Sequence, residues 1–294
     1  MNQSPRKFTR MLTTFLMIAL ALIVAVLAAF AYGEHRWQSL TRELHSPLVL
    51  ARQPADPCCV DFGELDGLPV PVQRYFRTVL REDRPMVAGV RIAHSGTFNL
   101  ATAGERWKPF QSDQMVTTRR PGFDWNGRIA LIPGVPALAH DAYVGGEGIL
   151  RVSLLGLVPL VELRDSGPLA DGELMRFLAE AAWYPTALLP SQGVRWEAVD
   201  PDSARGTLSD GARRVSLLFR FSADGLIDSI ESRSRDRMVA GKSVPTPWRG
   251  RFWNYVERDG MLVPLDGEVA WQLPAGPLPY WRGRVTRIAY QFAR

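Results

Sequence analysis

Cysteine is nearly missing from these 294 residues: the chain holds Cys58 and Cys59 and no others. Two cysteines cannot build a disulfide framework, and adjacent residues are awkward bridge partners. The sequence therefore predicts two unpaired thiols in a linker. Histidine is also scarce, with His35, His45, His94 and His140 in neither H-E-x-x-H nor any other short ligand spacing, so no metal site is expected. His140-Asp141 sets an imidazole beside a carboxylate, but no G-x-S-x-G elbow supplies a nucleophile. Gly145-Gly146-Glu147-Gly148 lacks the Lys-Ser/Thr of a phosphate loop and reads as a hairpin turn. No cofactor is predicted.

Lysine is confined to Lys7, Lys108 and Lys242, so arginine carries nearly all of the positive charge behind the net +5. Coding bias explains this, and a surface facing anionic lipid headgroups is the functional alternative. No nucleic-acid-binding module is recognisable, so nucleic acid is not expected as a partner.

Against these absences stands one long apolar run. Leu12–Tyr32 carries no charge and follows Arg6, Lys7 and Arg10. At about 1.5 Å per residue it reaches roughly 30 Å, the thickness of a bilayer's hydrocarbon core. That exceeds the usual core of a signal peptide, although Ala29-Phe30-Ala31 offers an A-x-A site and a secreted form if cut after Ala31. The basic head is expected to stay in the cytoplasm, with the bulk of the chain beyond the cytoplasmic membrane. The expected divisions are a head (1–11), an anchor (12–32), a juxtamembrane helix and linker (33–68) and a β-rich extracytoplasmic domain (69–294).

Within that domain, Pro71–Leu80 forms an amphipathic helix with Val72, Tyr75, Phe76, Val79 and Leu80 on one face. Period-two runs follow, such as Val215, Leu217, Phe219 and Phe221, with tight turns between them. A second helix has Asp171 as its N-cap, an apolar stripe of Leu174, Phe177, Leu178 and Ala181, and Pro185 as its stop. The expected class is mainly β (α+β): a curved antiparallel meander of about ten strands, covered by two helices and preceded by the transmembrane helix.

Glu173, Arg176 and Glu180 stand at helical spacing, so Arg176 can bridge both acids on a solvent face. In the rival reading Glu180, near Trp183, faces an aromatic pocket as a general acid or base. Arg233, Arg235 and Arg237 are expected on one solvent-facing side of a strand. Nine tryptophans are many for this length, and large aromatics ordinarily fill cores. A curved sheet can instead leave an apolar hollow lined by such rings, with Trp125, Trp183, Trp196 and Trp271 as candidate ligand contacts.

The stretch Gly172–Leu189, followed by Val194-Arg-Trp196, resembles a bacterial family of unknown function (DUF6544/DUF6920 type). Pro121-Gly-Phe-Asp-Trp125, Asp141-Ala-Tyr143, Pro264–Trp271 and Tyr280-Trp281-Arg-Gly283 extend the resemblance from about residue 68 to the end. The family implies no activity and no catalytic residue. More distantly, the pattern is similar to the LolA/LolB-like lipoprotein-carrier half-barrel, which implies a fold and not a function. The leading expectation is a membrane-anchored protein that binds a lipid or a lipoprotein acyl chain. An envelope hydrolase using Glu180 and a non-enzymatic scaffold are the alternatives.

Overall fold

A computed structural model describes residues 5–54, 56–101, 104–239 and 242–293. Residues 1–4 of the basic head lie outside it. Helix α1 (Pro5–Leu50) is followed by α2 (Val70–Val79) and strands β1 (Val87–Asn99), β2 (Trp107–Thr117), β3 (Gly122–Ile132), β4 (Val135–Val144), β5 (Glu147–Leu154) and β6 (Val158–Asp165). Helix α3 (Pro168–Glu180) and three 3₁₀ turns up to Gln192 lead to β7 (Arg195–Asp200), β8 (Ser203–Asp210), β9 (Arg213–Phe221), β10 (Ile227–Val239), β11 (Lys242–Arg258), β12 (Met261–Leu273) and β13 (Gly276–Phe292).

All thirteen strands join one antiparallel sheet in the order β6-β5-β4-β3-β2-β1-β13-β12-β11-β10-β9-β8-β7. The expected count of about ten is therefore too low. Short strands such as β6, exposed along most of its length, carry no clean inside–outside alternation. The sheet is two meanders stitched together where β1 pairs with β13, and β6 and β7 remain as its free edges.

The curvature follows from α3. This helix of thirteen residues is about 20 Å long, yet it contacts both β5 and β9. Those strands lie nine places apart in the sheet order, about 43 Å if the sheet were flat. The sheet must curl around the helix. Tyr143 Oη donates to Asp210 Oδ2 at 2.8 Å from β4 to β8, and Arg213 on β9 bonds Gly146, Ser166, Gly167 and Asp171. Side chains thus close the gap that the backbone leaves open.

The main core fills the concave side, where α2 contributes Val72, Tyr75, Phe76 and Val79 as its periodicity predicts. The stripe Leu174, Phe177, Leu178 and Ala181 is likewise buried. Helix α3 starts earlier than expected, at Pro168, so Gly167 is the N-cap and Asp171 lies in the first turn, paired with Arg213. Gly145 and Gly146 form the β4–β5 turn, between the paired Val144 and Glu147. Cys58 and Cys59 are both free thiols.

Helix α1 runs unbroken for 46 residues, about 69 Å. Its first half exposes Phe15, Leu20, Ile23 and Leu27. Among the described residues it is the one helix long and apolar enough to cross a membrane. Its second half lies on the convex face, where Leu44 and Leu48 pack on Met115, Ala142, Val144 and Ile149.

Candidate functional site

Alternation along β3 and β4 sends neighbouring residues to opposite faces. Phe123, Trp125, Asp141 and Tyr143 point into the concavity, whereas Asp124, Asn126 and His140 point at α1. His140 and Asp141 therefore do not form a pair. Instead His140 Nδ1 meets Asp124 Oδ1 at 2.8 Å, and His45 Nε2 meets Asp124 Oδ2 at 3.0 Å. Thr41 Oγ1 lies 3.1 Å from His140 Nε2, and Trp37 stacks on the His140 ring at 4.4 Å. Trp37, Thr41 and His45 are four residues apart, so one stripe of α1 reads this buried cluster. Burial alone would raise the Asp124 carboxyl, but the two histidine contacts overcome it and hold the group below its usual range. The cluster fastens α1 to the sheet.

The concave side holds the candidate site. Arg176 on α3 reaches Asp141 Oδ2 and Glu180 Oε1, each at 2.6 Å, with Glu173 Oε2 at 4.0 Å. Its guanidinium lies over Phe123 and Trp125, 5.0 and 5.5 Å from the ring centroids. The expected bridging of Glu173 and Glu180 by Arg176 is present, but it faces the protein interior, not solvent. Strands β3, β4, β5, β6, β9 and β10 all pack around α3, so no face of this short helix remains free for such a charge.

Arg235 is also interior. It lies 3.4 Å from Glu173 and stacks over Trp248 at 5.3 Å. The expected run of Arg233, Arg235 and Arg237 on one side fails because a register shift falls between Ser232 and Arg235. One extra residue flips the face, leaving Arg233 exposed and turning Arg235 inward.

Between these groups is a cavity of about 100 Å³. Trp125, Trp183, Trp248, Trp281, Phe252 and Tyr280 form its apolar wall, and Asp141, Arg176, Glu180 and Arg235 its charged one. Trp183 meets Phe252 at 5.7 Å and Trp281 at 6.3 Å, and His94 meets Trp183 at 4.9 Å. Burial and the nearby Arg176 push the His94 imidazole down to about 3, so it is neutral at physiological pH. Burial pushes the Glu173 carboxyl up to about 8; Asp141 adds to this while Arg235 and Arg176 oppose it. The Glu173 carboxyl is thus held protonated at neutral pH, between Arg176 and Arg235. His94 Nε2, Gln114 Oε1, Trp125 Nε1 and Trp183 Nε1 are buried polar atoms without a protein partner. They are the site's spare hydrogen-bonding capacity.

Of the tryptophans expected to contact a ligand, Trp125 and Trp183 line this cavity. Trp271 stacks on Tyr280 at 5.4 Å, outside it, and Trp196 packs against Phe219 and Phe76 while donating to the Leu188 carbonyl. Trp248 and Trp281 are lining residues that sequence reasoning missed. A legible signal marks them: Trp125-Asn-Gly127, Trp248-Arg-Gly250 and Trp281-Arg-Gly283 repeat W-x-G. Two residues on in a strand is the same face, and a Cβ at Gly127, Gly250 or Gly283 would lie 2.2, 3.1 or 2.2 Å from the preceding indole. Each glycine lets its tryptophan lie flat along the sheet.

Glu180 does reach the aromatic cavity, but both of its oxygens are taken. Arg176 Nε holds Oε1, and Gln114 Nε2 donates to Oε2 at 2.5 Å. Among the described residues no group of three metal-ligating side chains is found.

A curved antiparallel sheet around an aromatic cavity is the class of protein that this fold and site define. The chain belongs to a family of unknown function (DUF6920), whose model matches residues 66–290. No curated protein matches it. Among solved structures it is similar to a LolA-superfamily protein from Nitrosomonas europaea, at 12% identity and a TM-score of 0.38, over 81% of this chain and 94% of that one. It is also similar to a β-barrel-like protein of unknown function (DUF1849) from Brucella abortus, at 12% identity and a TM-score of 0.20, over 70% and 99% of the two chains.

Proposed function

We propose that this is a membrane-tethered extracytoplasmic protein that holds an apolar ligand on the concave side of its sheet. The carrying observation is the cavity wall of Trp125, Trp183, Trp248 and Trp281, set beside spare buried hydrogen-bonding atoms. Such a wall suits a ligand with an apolar body and one polar group, such as an acyl chain with its carboxyl or ester. At about 100 Å³ the cavity is smaller than the roughly 300–1,000 Å³ of drug-sized sites. Binding a whole acyl chain therefore requires the α3–3₁₀ segment, one excursion between the free edges β6 and β7, to shift outward.

Intact mass spectrometry of the full-length protein released gently from detergent tests this reading. A bound lipid is expected on the wild type and is expected to be lost in Ala179→Leu, which fills the cavity from α3. A lipid-free wild type with a packed interior contradicts it. The hydrolase reading requires a free Glu180 oxygen, and both are engaged, by Arg176 and Gln114; Glu180→Gln is expected to keep ligand binding.

A further inference from the structure

A second, larger concavity lies on the other face of the sheet, beside α1. Its groove of about 760 Å³ is walled by Phe30 of α1 and by Ala130, Ile132, Val135, Pro136 and Leu155 of the strands and their turns. Next to it is a cleft of about 500 Å³ lined by Gln38, Thr41, Gln111, Ser112 and Asn126, with Arg42 and Asp113 as further charged residues. Glu34, Arg128, Gln111 and Leu138 line both. Arg128 and Glu34 pair at 2.8 Å and are both about half exposed. Along α1, then, an apolar trough passes into a polar one, with the half-exposed Arg128–Glu34 ion pair at the join.

The position of the trough is set by close packing. A Cβ on Gly33 would lie 2.2 Å from the Leu155 carbonyl oxygen, and one on Gly156 would lie 2.4 Å from the Gly33 carbonyl oxygen. Helix and β5–β6 turn thus touch backbone to backbone, one residue after the exposed apolar run ends at Tyr32. Arg36 adds a bond to the Leu157 carbonyl at 3.1 Å. The hairpin tips beside this contact expose Ile132 and Val158, 61% and 53% accessible. If α1 spans a bilayer, as proposed above, these tips stand at its surface and the trough opens into the hydrocarbon through Phe30.

We propose that this trough binds a glycerophospholipid drawn from the leaflet next to the domain. One acyl chain lies along Phe30, Ala130 and Ile132, the phosphate takes the place of the half-exposed Glu34 carboxylate on Arg128, and the rest of the headgroup enters the polar cleft. The order of surfaces away from the membrane, apolar, then an arginine-bearing ion pair, then polar, matches the order of chemistry along such a lipid. The site is separate from the concave cavity, on the opposite face of the sheet.

The test uses full-length protein in vesicles of phosphatidylethanolamine and phosphatidylglycerol carrying a phosphatidylglycerol with a diazirine in its acyl chain. After illumination, adducts are mapped by peptide mass spectrometry. Adducts are expected on residues 128–138 and 154–158 as well as on the apolar run of α1. Ala130→Trp, which fills the trough, is expected to lower the first two sets about tenfold and leave those on α1 unchanged. Ile132→Asp, at an exposed tip where folding is not at stake, is expected to act in the same direction. Arg128→Gln is expected to reduce the preference for phosphatidylglycerol over phosphatidylcholine several-fold. Adducts confined to α1, or trough adducts indifferent to both groove variants, overturn this site and leave the tether standing. Absence of adducts on α1 overturns the tether and this site with it.

Discussion

Glu173 and Asp124 are buried carboxylates on opposite faces of one sheet, and their proton affinities move in opposite directions. Burial penalises the ionised form of both. Asp124 receives two direct contacts at 2.8 and 3.0 Å, one on each oxygen, both from histidines. Glu173 has Arg235 at 3.4 Å and Arg176 at 4.0 Å, with Asp141 and Glu180 adding repulsion. The shift is decided by how closely the partners come and who shares them, not by depth. The convex cluster is a saturated joint; the concave one keeps capacity in reserve, as a binding site needs.

The most severe test of this contrast is Arg176→Ala, which strips the common partner from three carboxylates. Breaking a buried ion pair in this way costs about 3–5 kcal/mol, read as a lower denaturation midpoint. Less than about 1 kcal/mol would mean that Arg176 does not organise the site. Asp124→Ala is expected to cost about 1.5–3 kcal/mol, the range for hydrogen bonds to a charged group. It should also speed amide exchange along α1 from Trp37 to Leu48 while leaving α3 protected; exchange that rises equally in both would merge the two faces into one unit. Gly283→Ala forces the Trp281 indole off the sheet and is expected to cost about 1–3 kcal/mol, as overpacking does. An unchanged melting temperature would remove the role given to the W-x-G repeat.

Titration sharpens the contrast further. Glu173 binds its proton more tightly when folded, so its contribution to stability is full below about 4.5 and is lost as pH rises towards 8. Glu173→Gln should flatten that decline. His94 has the opposite sense: its folded value near 3 lies below the ordinary 6.5, so stability is lost as pH falls through that interval. A Glu173→Gln variant with an unchanged slope between pH 5 and 8 would contradict the protonated state assigned to it. The smallest effect is expected on the surface, where Arg74 and Asp202 pair at 3.2 Å with both side chains exposed. Arg74→Ala should cost at most about 1 kcal/mol.

Much of the architecture is legible in the residues. The apolar run, the α2 face, the α3 stripe and the glycine turn at 145–146 all follow from periodicity and turn chemistry. Strand number is less legible, because an edge strand such as β6 has little to bury and so shows no alternation. Arg235 was misplaced because a bulge changes the parity of a strand without a mark in its composition. The tryptophan surplus points equally to Trp125, Trp183, Trp196 and Trp271, yet the last two pack outside the cavity. Abundance does not say which face a ring takes; the glycine two residues on does. The clamp of His45, Asp124 and His140 joins residues 16 to 95 positions apart, a link that no local pattern encodes.

The most direct measurement of the central claim is quenching of tryptophan emission by a fatty acid brominated along its chain, added to the full-length protein in lipid nanodiscs. A tryptophan-walled concave site predicts saturable quenching that Ala179→Leu abolishes. Quenching that rises linearly with the fatty acid and is identical in the variant would show bilayer partitioning alone, and would contradict an occupied concave face.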